Sequence, residues 1–428
     1  MKAQAQSLEK QNIKSSNTWR MLTLGEVGDI VSGGTPSTAV KEYWGGKINW
    51  ISPSDLTGYK KKTIIKGAKS ITELGLKNSS ARMMPKGSVL FSSRAPIGYV
   101  VIAAEDLSTN QGFKSIIPHD FVSSEYLYYF LSASKQAAEK VASGTTFKEI
   151  SKATFAELKI PIPDLVTQQA IVSKIEELFS ELDKGIESLK LAQQKLKVYR
   201  QAVLKWAFEG RLTNENVEEE ELPKGWKWVQ SGTLFDFVTS GSRGWAKYYS
   251  DSGSIFIRIT NLDFDSLALD LEESKIQYVK PPMNSEGTRT KIQEGDFLIS
   301  ITGYLGMFAI APKMTSAYIN QHISLCRPTK DINRKYLGYW IISKSGGHKF
   351  LNKMTKGATK AGLGLNDIKS FPVPIAPIEQ QEIIVQAIEN RLSVIDKMGE
   401  SINQSLQQAE VMRQSILKRA FDGDLNLD

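Results

Sequence analysis

The chain is poor in the side chains that hold metals and make covalent cross-links. Among 428 residues there is one cysteine, Cys326, so no disulfide can close within the chain and no thiolate cluster can form. The three histidines, His119, His322 and His348, are scattered without ligand spacing, and no metal is expected. No run approaches the ~18 apolar residues of a membrane span, and the opening MKAQAQSLEKQNIKSSN has no apolar core. The expectation is a cytoplasmic protein with no membrane contact.

Catalytic signatures are missing too. There is no G-x-x-x-x-G-K-[ST] phosphate loop, which removes the sign of a nucleotide-driven motor. The Asn/Asp-Pro-Pro-aromatic element of an amino-methylating enzyme is absent, KPPMN (280–284) lacking both its polar and its aromatic residue. The glycines of GATKAGLGL (357–365) do not follow a strand, and no spaced acidic cluster with a lysine suggests a nuclease. No catalytic constellation is found in the sequence.

What is present is basic charge in two blocks. The net charge is +8. Residues 19–163 hold eighteen Lys/Arg against twelve Asp/Glu, and residues 226–378 nineteen against twelve. Residues 213–225 hold one against five, and 379–428 five against nine. A polyanion should meet the two long basic segments.

The two blocks belong to a duplication. YRQAVLKWAFEGRL (199–212) and MRQSILKRAFDGDL (412–425) are identical at eight of fourteen positions, at an offset of 213. Upstream, IPIPDLVTQQAIV (160–172) matches FPVPIAPIEQQEIIV (371–385), GSVLFSSRAPIGYVVIA (87–103) matches GDFLISITGYLGMFAIA (295–311), and NQGFKSIIP (110–118) matches NQHISLCRP (320–328). A period near 200 residues means domain duplication rather than a solenoid.

Each copy opens with short β-branched and aromatic runs (INWIS, SVLFSS, YVVIA, SIFIRIT, FLISIT) and has helical spacing over 123–142 and 333–354, which predicts an α+β body. Each ends in about forty proline-free residues. In the first tail Ile175, Leu182, Leu189, Leu196 and Val203 form one heptad series, and Ile171, Leu178, Gly185, Ala192, Tyr199 and Trp206 a second. The second tail keeps the first series (Ile388, Ile395, Ile402, Ala409, Ile416) and interrupts the other at Arg391, Ser405 and Arg419. Thr167 is expected to cap the first helix, Pro377 to open the second, and Gly210 and Gly423 to end them in left-handed conformation. Forty helical residues make a rod of roughly 60 Å, and a pseudo-twofold would run the two antiparallel.

The chain resembles the specificity subunit of a type I restriction–modification system. The resemblance is carried by the helix openings IPIPDLVTQQAIVSKIEELF and FPVPIAPIEQQEIIVQAIENRL, the ends LKWAFEGRL and LKRAFDGDL, and GDIVSGGTPS…YWGGKINWISPSDL with GSVLFSSRAPIG and STNQGFKSIIP. It implies a polar segment (1–18), target-recognition domain 1 (19–163), spacer helix 1 (164–212), an acidic linker (213–225), target-recognition domain 2 (226–376), and spacer helix 2 with the tail (377–428). It further implies an antiparallel coiled coil of the two helices, each domain reading half of a bipartite site in double-stranded DNA. Two methyltransferase subunits and two restriction subunits would be the partners, carrying S-adenosylmethionine, ATP and Mg, while this chain would be no enzyme and bind no cofactor itself. Tyr199, Lys205, Phe208, Arg413, Lys418 and Phe421 are the expected docking residues on the helices.

The repeat sorts the DNA-contacting candidates. Residues common to both copies cannot explain two different half-sites, so Asn110-Gln111 and Asn320-Gln321 read as structural or as positioning the DNA backbone. Divergent residues in matched loops are the specificity candidates. These are Arg94 facing Thr302 and Tyr304; Thr35 and Ser37 facing Ser242, Arg243 and nearby Lys247; and Thr145 and Lys148 facing Thr359 and Lys360. Lys60, in a lysine triplet, is a candidate for phosphate. Two alternatives stand beside this reading: a stand-alone nucleic-acid-binding adaptor that self-associates through its helices, and an enzyme on nucleic acid with a degenerate site.

Overall fold

A computed structural model describes residues 19–144, 148–213, 222–282, 289–314, 316–354 and 362–427. They fall into two units. One joins the chain up to Ser188 with Ser405 onward, and the other is Leu189–Gln404, so the division lies inside both long helices.

The first unit is built on a five-stranded sheet. Its strands are β2 (Gly28–Ser32), β4 (Thr63–Ile64), β5 (Val89–Ser92), β6 (Val100–Ala103) and β7 (Phe113–Pro118), in the order β2-β7-β5-β6-β4. Every residue of β5 is buried, which is why its sequence is a continuous run rather than an alternation. A second sheet holds β3 (Trp44–Ile51) between Lys69–Ile71 and Ser108–Thr109, and β1 (Arg20–Thr23) pairs with β8 (Lys159–Ile162). The helical stretch expected over 123–142 is two helices, α1 (Ser124–Ala133) and α2 (Lys135–Val141), meeting at Ser134.

The second unit repeats this plan. β10 (Phe235–Ser240), β12 (Phe297–Ser300), β13 (Phe308–Ile310) and β14 (Ile323–Pro328) lie in the order β10-β14-β12-β13, the counterpart of β2-β7-β5-β6. Registers correspond as well: Leu90 faces Val101 and Ser115, and Leu298 faces Ala309 and Leu325. β9 (Lys227–Gln230) pairs with β15 (Pro372–Ile375), and β11 (Ser254–Ile257) lies in a separate sheet. α4 (Arg334–Ile342) and α5 (Gly347–Lys353) divide the stretch expected over 333–354.

The long helices are α3 (Leu165–Phe208) and α6 (Ile378–Asp422). α3 begins earlier than Thr167. Asp164 caps it, accepting from the Thr167 backbone N–H at 2.9 Å, and Thr167 donates its own hydroxyl to the same carboxylate. These bonds hold the Asp164 carboxyl below its ordinary range. Pro377 precedes α6 and its carbonyl accepts from Gln381. Gly210 (φ +77) and Gly423 (φ +80) are left-handed, as a C-terminal cap requires.

The repeated glutamines explain the matching helix openings. Gln168 is fully buried, donates to the Pro163 and Phe121 carbonyls and accepts from Ser123 N–H at the start of α1. Gln381 does the same work with Ala376 and Asn333 at the start of α4. The matching helix ends are explained by packing. Phe208, 5% exposed, sits edge-on to Tyr336 and Trp340 in the second unit's core. Phe421 meets Tyr126 and Phe130 in the first unit's core. Each unit's core is thus closed by the C-terminal end of a long helix.

Within each unit the two helix segments run antiparallel. Arg413 pairs with Asp183 in the first, and in the second Arg200 meets Asp396 at 2.7 Å and Gln193 meets Asn403 at 3.0 Å; each pair's numbers add to 596. At the repeat offset Asp183 corresponds to Asp396 and Arg200 to Arg413, so the two ion pairs are one interaction written twice. The buried and half-buried stripe keeps one of the expected heptad series and shifts the other. On α3 it steps through Ile171, Ile175, Leu178, Leu182, Ile186, Leu189, Gln193, Leu196, Arg200, Val203 and Ala207, ten steps over 36 residues. It keeps the whole first series and moves the second one residue on, to Ile186, Gln193, Arg200 and Ala207, which leaves Gly185, Tyr199 and Trp206 exposed.

Among the described residues no helix is long and apolar enough to cross a membrane, and no three His, Cys, Asp or Glu side chains are placed to hold a metal ion. Cys326 is fully buried, and burial pushes its thiol up to about 12.

Candidate nucleic-acid interface

The matched loops in the two units share one backbone corner. A Cβ on Gly33 would lie 2.0 Å from the Asn110 carbonyl oxygen, and one on Gly241 would lie 2.1 Å from that of Asn320, so only glycine fits at either place. Asn110 accepts from the Gly112 N–H at 2.9 Å, and Asn320 from that of His322 at 3.0 Å. The paired asparagines are turn-forming in both copies, which accounts for their identity.

On this common corner the first unit carries a charged cluster. Thr35 donates to the Gln111 side chain, and the Ser37 carbonyl accepts from the Trp44 indole at 3.1 Å. Arg94 is not free: its Nη1 lies 3.5 Å from the Glu149 carboxylate. The other Glu149 oxygen is 3.2 Å from Nζ of Lys114, a cation only 6% exposed that also reaches Ser93 Oγ at 3.3 Å. A backbone bridge joins Arg94 to Glu149, and Ser143 and Glu149 exchange backbone hydrogen bonds across the foot of the loop that carries exposed Lys148. Ala95, beside Arg94, has φ +45, a strained value for a residue with a Cβ.

The second unit fills the same corner with a hydroxyl, an amide and an imidazole in place of the Arg94–Glu149–Lys114 set. Thr302 Oγ1 is 2.6 Å from His322 Nδ1, and Gln321 Nε2 is 2.8 Å from His322 Nε2. Arg243 and Lys247 are exposed, the ammonium of Lys247 lying 4.9 Å from the Tyr248 ring centre, while Ser242 bridges to Asn320. Tyr304 is 72% exposed, at the mouth of a cavity of about 570 Å³ lined by Phe264, Leu305, Ile342 and His348. Burial and nearby Lys344 hold the His348 imidazole below its ordinary range.

Lys60 belongs elsewhere. It lines a cleft against α3 with Tyr129 and Glu176, where Lys62 pairs with Glu176 at 2.5 Å. Burial and the Glu176 carboxylate push the Tyr129 hydroxyl above its ordinary value. Thr145, Thr359 and Lys360 lie outside the described residues. The residues that sequence reasoning missed are Glu149, Lys114 and His322. A signal for the last two was present, since Lys114 faces Ser324 and His322 faces Gly112 in otherwise matching segments.

The expected docking residues separate into two groups. Phe208 is a core side chain and offers no surface, Phe421 is half-buried against its own unit, and Arg413 is taken by Asp183 and lies 4.5 Å from the Phe179 ring centre. Tyr199, Lys205 and Lys418 are exposed, Lys205 beside Glu209 at 3.7 Å. Exposed apolar residues stand next to them at repeat-equivalent places: Val198 and Tyr199 on α3, Val411 and Met412 on α6. Trp206 lies edge-on to Tyr199 and adds to the first pair.

Comparison with known proteins agrees with this layout. The family described as "Type I restriction modification DNA specificity domain" matches residues 16–191 and 223–409. The chain is 38% identical over 260 residues to the type I restriction enzyme MjaIX specificity subunit of Methanocaldococcus jannaschii, covering 58% of this chain and 59% of that protein. It is 26% identical over 327 residues to the EcoBI specificity subunit of Escherichia coli, covering 72% and 67%. The first match thus spans less than two thirds of the relative's length. In fold it is similar to the HsdS subunit from Thermoanaerobacter tengcongensis (TM-score 0.56, 20% identity, 96% and 98% covered). It is also similar to a chain from a structure described as the basis of "complex assembly" and "conformational transition of the type I R-M system" (TM-score 0.69, 20% identity, 95% and 98% covered).

Proposed function

The chain belongs to the type I restriction–modification DNA specificity family, and on that premise we propose that it is the sequence-reading subunit of such a system. In this reading each unit contacts half of a bipartite target in double-stranded DNA. The observation that carries it is the contrast at one shared corner. The same four-strand order and the same glycine–asparagine packing present Arg94 in one unit and Thr302 with His322 in the other, as two readers of different bases require.

The helices α3 and α6 set the unread spacer between half-sites. The exposed pairs Val198/Tyr199 and Val411/Met412 are equivalent surfaces on which two copies of a methyltransferase subunit dock, with two restriction subunits completing the complex. Methyl transfer, using S-adenosylmethionine, and ATP- and Mg-dependent cleavage reside on those partners. This chain supplies the address.

The test is methylome sequencing of a host expressing the chain with its methyltransferase. A split motif with a fixed gap is expected, and a continuous motif or no motif contradicts the reading. Arg94→Ala should relax one position of one half-site and Arg243→Ala one position of the other, each by ~1–3 kcal/mol of discrimination. Equal loss on specific and random duplexes would assign that arginine to phosphate.

A further inference from the structure

We propose that Glu149 is a positioning residue for Arg94, so that sequence reading by the first unit depends on a carboxylate that does not itself meet a base. The proposal rests on the reading of this chain as a DNA-specificity subunit.

Glu149 stands between two cations. One oxygen faces Arg94 Nη1 at 3.5 Å, and the other faces Lys114 Nζ at 3.2 Å. Among the described residues it is the one carboxylate within ion-pair distance of either. Lys114 is buried on β7, and its Nζ also reaches Ser93 Oγ at 3.3 Å and the Gln111 carbonyl at 3.5 Å, so it holds Glu149 from behind. The backbone bridge from Arg94 to Glu149 fixes it from the side, and the Ser143–Glu149 bonds tie it to the foot of the Lys148 loop.

Arg94 is the part left adjustable. Its side chain is 35% exposed, and a separation of 3.5 Å is a loose ion pair rather than a tight hydrogen bond. A guanidinium has five N–H donors, and the contact through Nη1 leaves Nε and Nη2 to address a base edge. An arginine already biased toward one rotamer loses less freedom on binding, and Glu149 with Lys114 cancel, leaving the charge of Arg94 for DNA.

The second unit supplies an internal control. Thr302 bridges to Gly362 as Arg94 bridges to Glu149, and Ser324 faces Ile299 across the sheet as Lys114 faces Phe91. Where the arginine is missing, the carboxylate and the buried lysine are missing with it. The three charges form one set belonging to the first unit's specificity.

The experiment uses the complex of the full chain with its methyltransferase subunit. Fluorescence anisotropy compares its methylome-defined site, each single base-pair substitution of that site, and a random duplex. Glu149→Gln should lower discrimination at one base pair roughly ten-fold or more, the same base pair that Arg94→Ala relaxes. The other half-site should be unchanged. Affinity for the random duplex should not fall, because the freed arginine and the added net charge both favour phosphate. The double variant should be no less selective than Arg94→Ala alone.

Should Glu149→Gln leave Lys114 unpaired and melt the unit, Glu149→Asp keeps the charge on a shorter arm. It should then lose discrimination at that same base pair with random binding retained. Unchanged discrimination, loss at both half-sites, or losses that add to those of Arg94→Ala overturn the proposal. A wild-type complex with no sequence preference would instead overturn the functional reading beneath it.

Discussion

Asp296 is 1% exposed and accepts two hydrogen bonds from Arg327, both at 2.8 Å, with a third from the Gln293 N–H. The first unit has Ser88 and Ile117 at these positions, so the pair is private to the second. Asp296→Ala should destabilise the second unit by about 2 kcal/mol, since it removes a buried acceptor of hydrogen bonds from a half-buried arginine. Ser88→Ala should cost the first unit about 1 kcal/mol or less. Thermal unfolding of the two variants checks the contrast, and similar losses would deny the pair a special role. At this scale the sequence was readable where the copies agree: Asn110 and Asn320 hold identical turns because one backbone corner requires them. It was opaque at Glu149, because an ion pair 55 residues apart in sequence exists only after the sheet brings β5 and the loop before Ile150 together.

The ends of the helices carry a second prediction. Asp164 accepts from Thr167 at the start of α3, and those bonds lower its pKa in the folded chain. A lowered folded-state pKa contributes stability above the ordinary carboxylate range, and that contribution disappears as pH falls through the folded-state value. Asp164→Ala should therefore melt below the wild type near neutral pH, and the gap should close in acid. A gap independent of pH would show that the charge is not what caps the helix. The existence of both helices was plain from their proline-free repeats, and so were their glycine caps. The heptad reading held for Ile175, Leu182, Leu189, Leu196 and Val203 and failed at Gly185, Tyr199 and Trp206, where the row one residue on (Ile186, Gln193, Arg200, Ala207) is the less exposed one. The structure assigns that row to the antiparallel helix segment and leaves Val198 and Tyr199, with Val411 and Met412, facing solvent.

At the scale of the molecule the duplication has one consequence that can be measured as DNA length. Inserting seven helical residues into both α3 and α6 lengthens each by about 10 Å, which corresponds to roughly three base pairs. Methylome sequencing of that variant should return both half-sites unchanged with a spacer longer by about that amount. An unchanged spacer would mean that the helices do not set it. The sequence by itself determined the duplication, the α+β bodies, the two long helices and the family, because each is written in local periodicity or in similarity between stretches of chain. Tertiary structure decided which helix end closes which core: Phe208 enters the second unit and Phe421 the first, across distances in sequence that no local pattern encodes. It likewise decided which charges meet. Burial and ion pairing are properties of the folded neighbourhood, so Arg94 became half of a pair with Glu149 only when the loops were placed side by side.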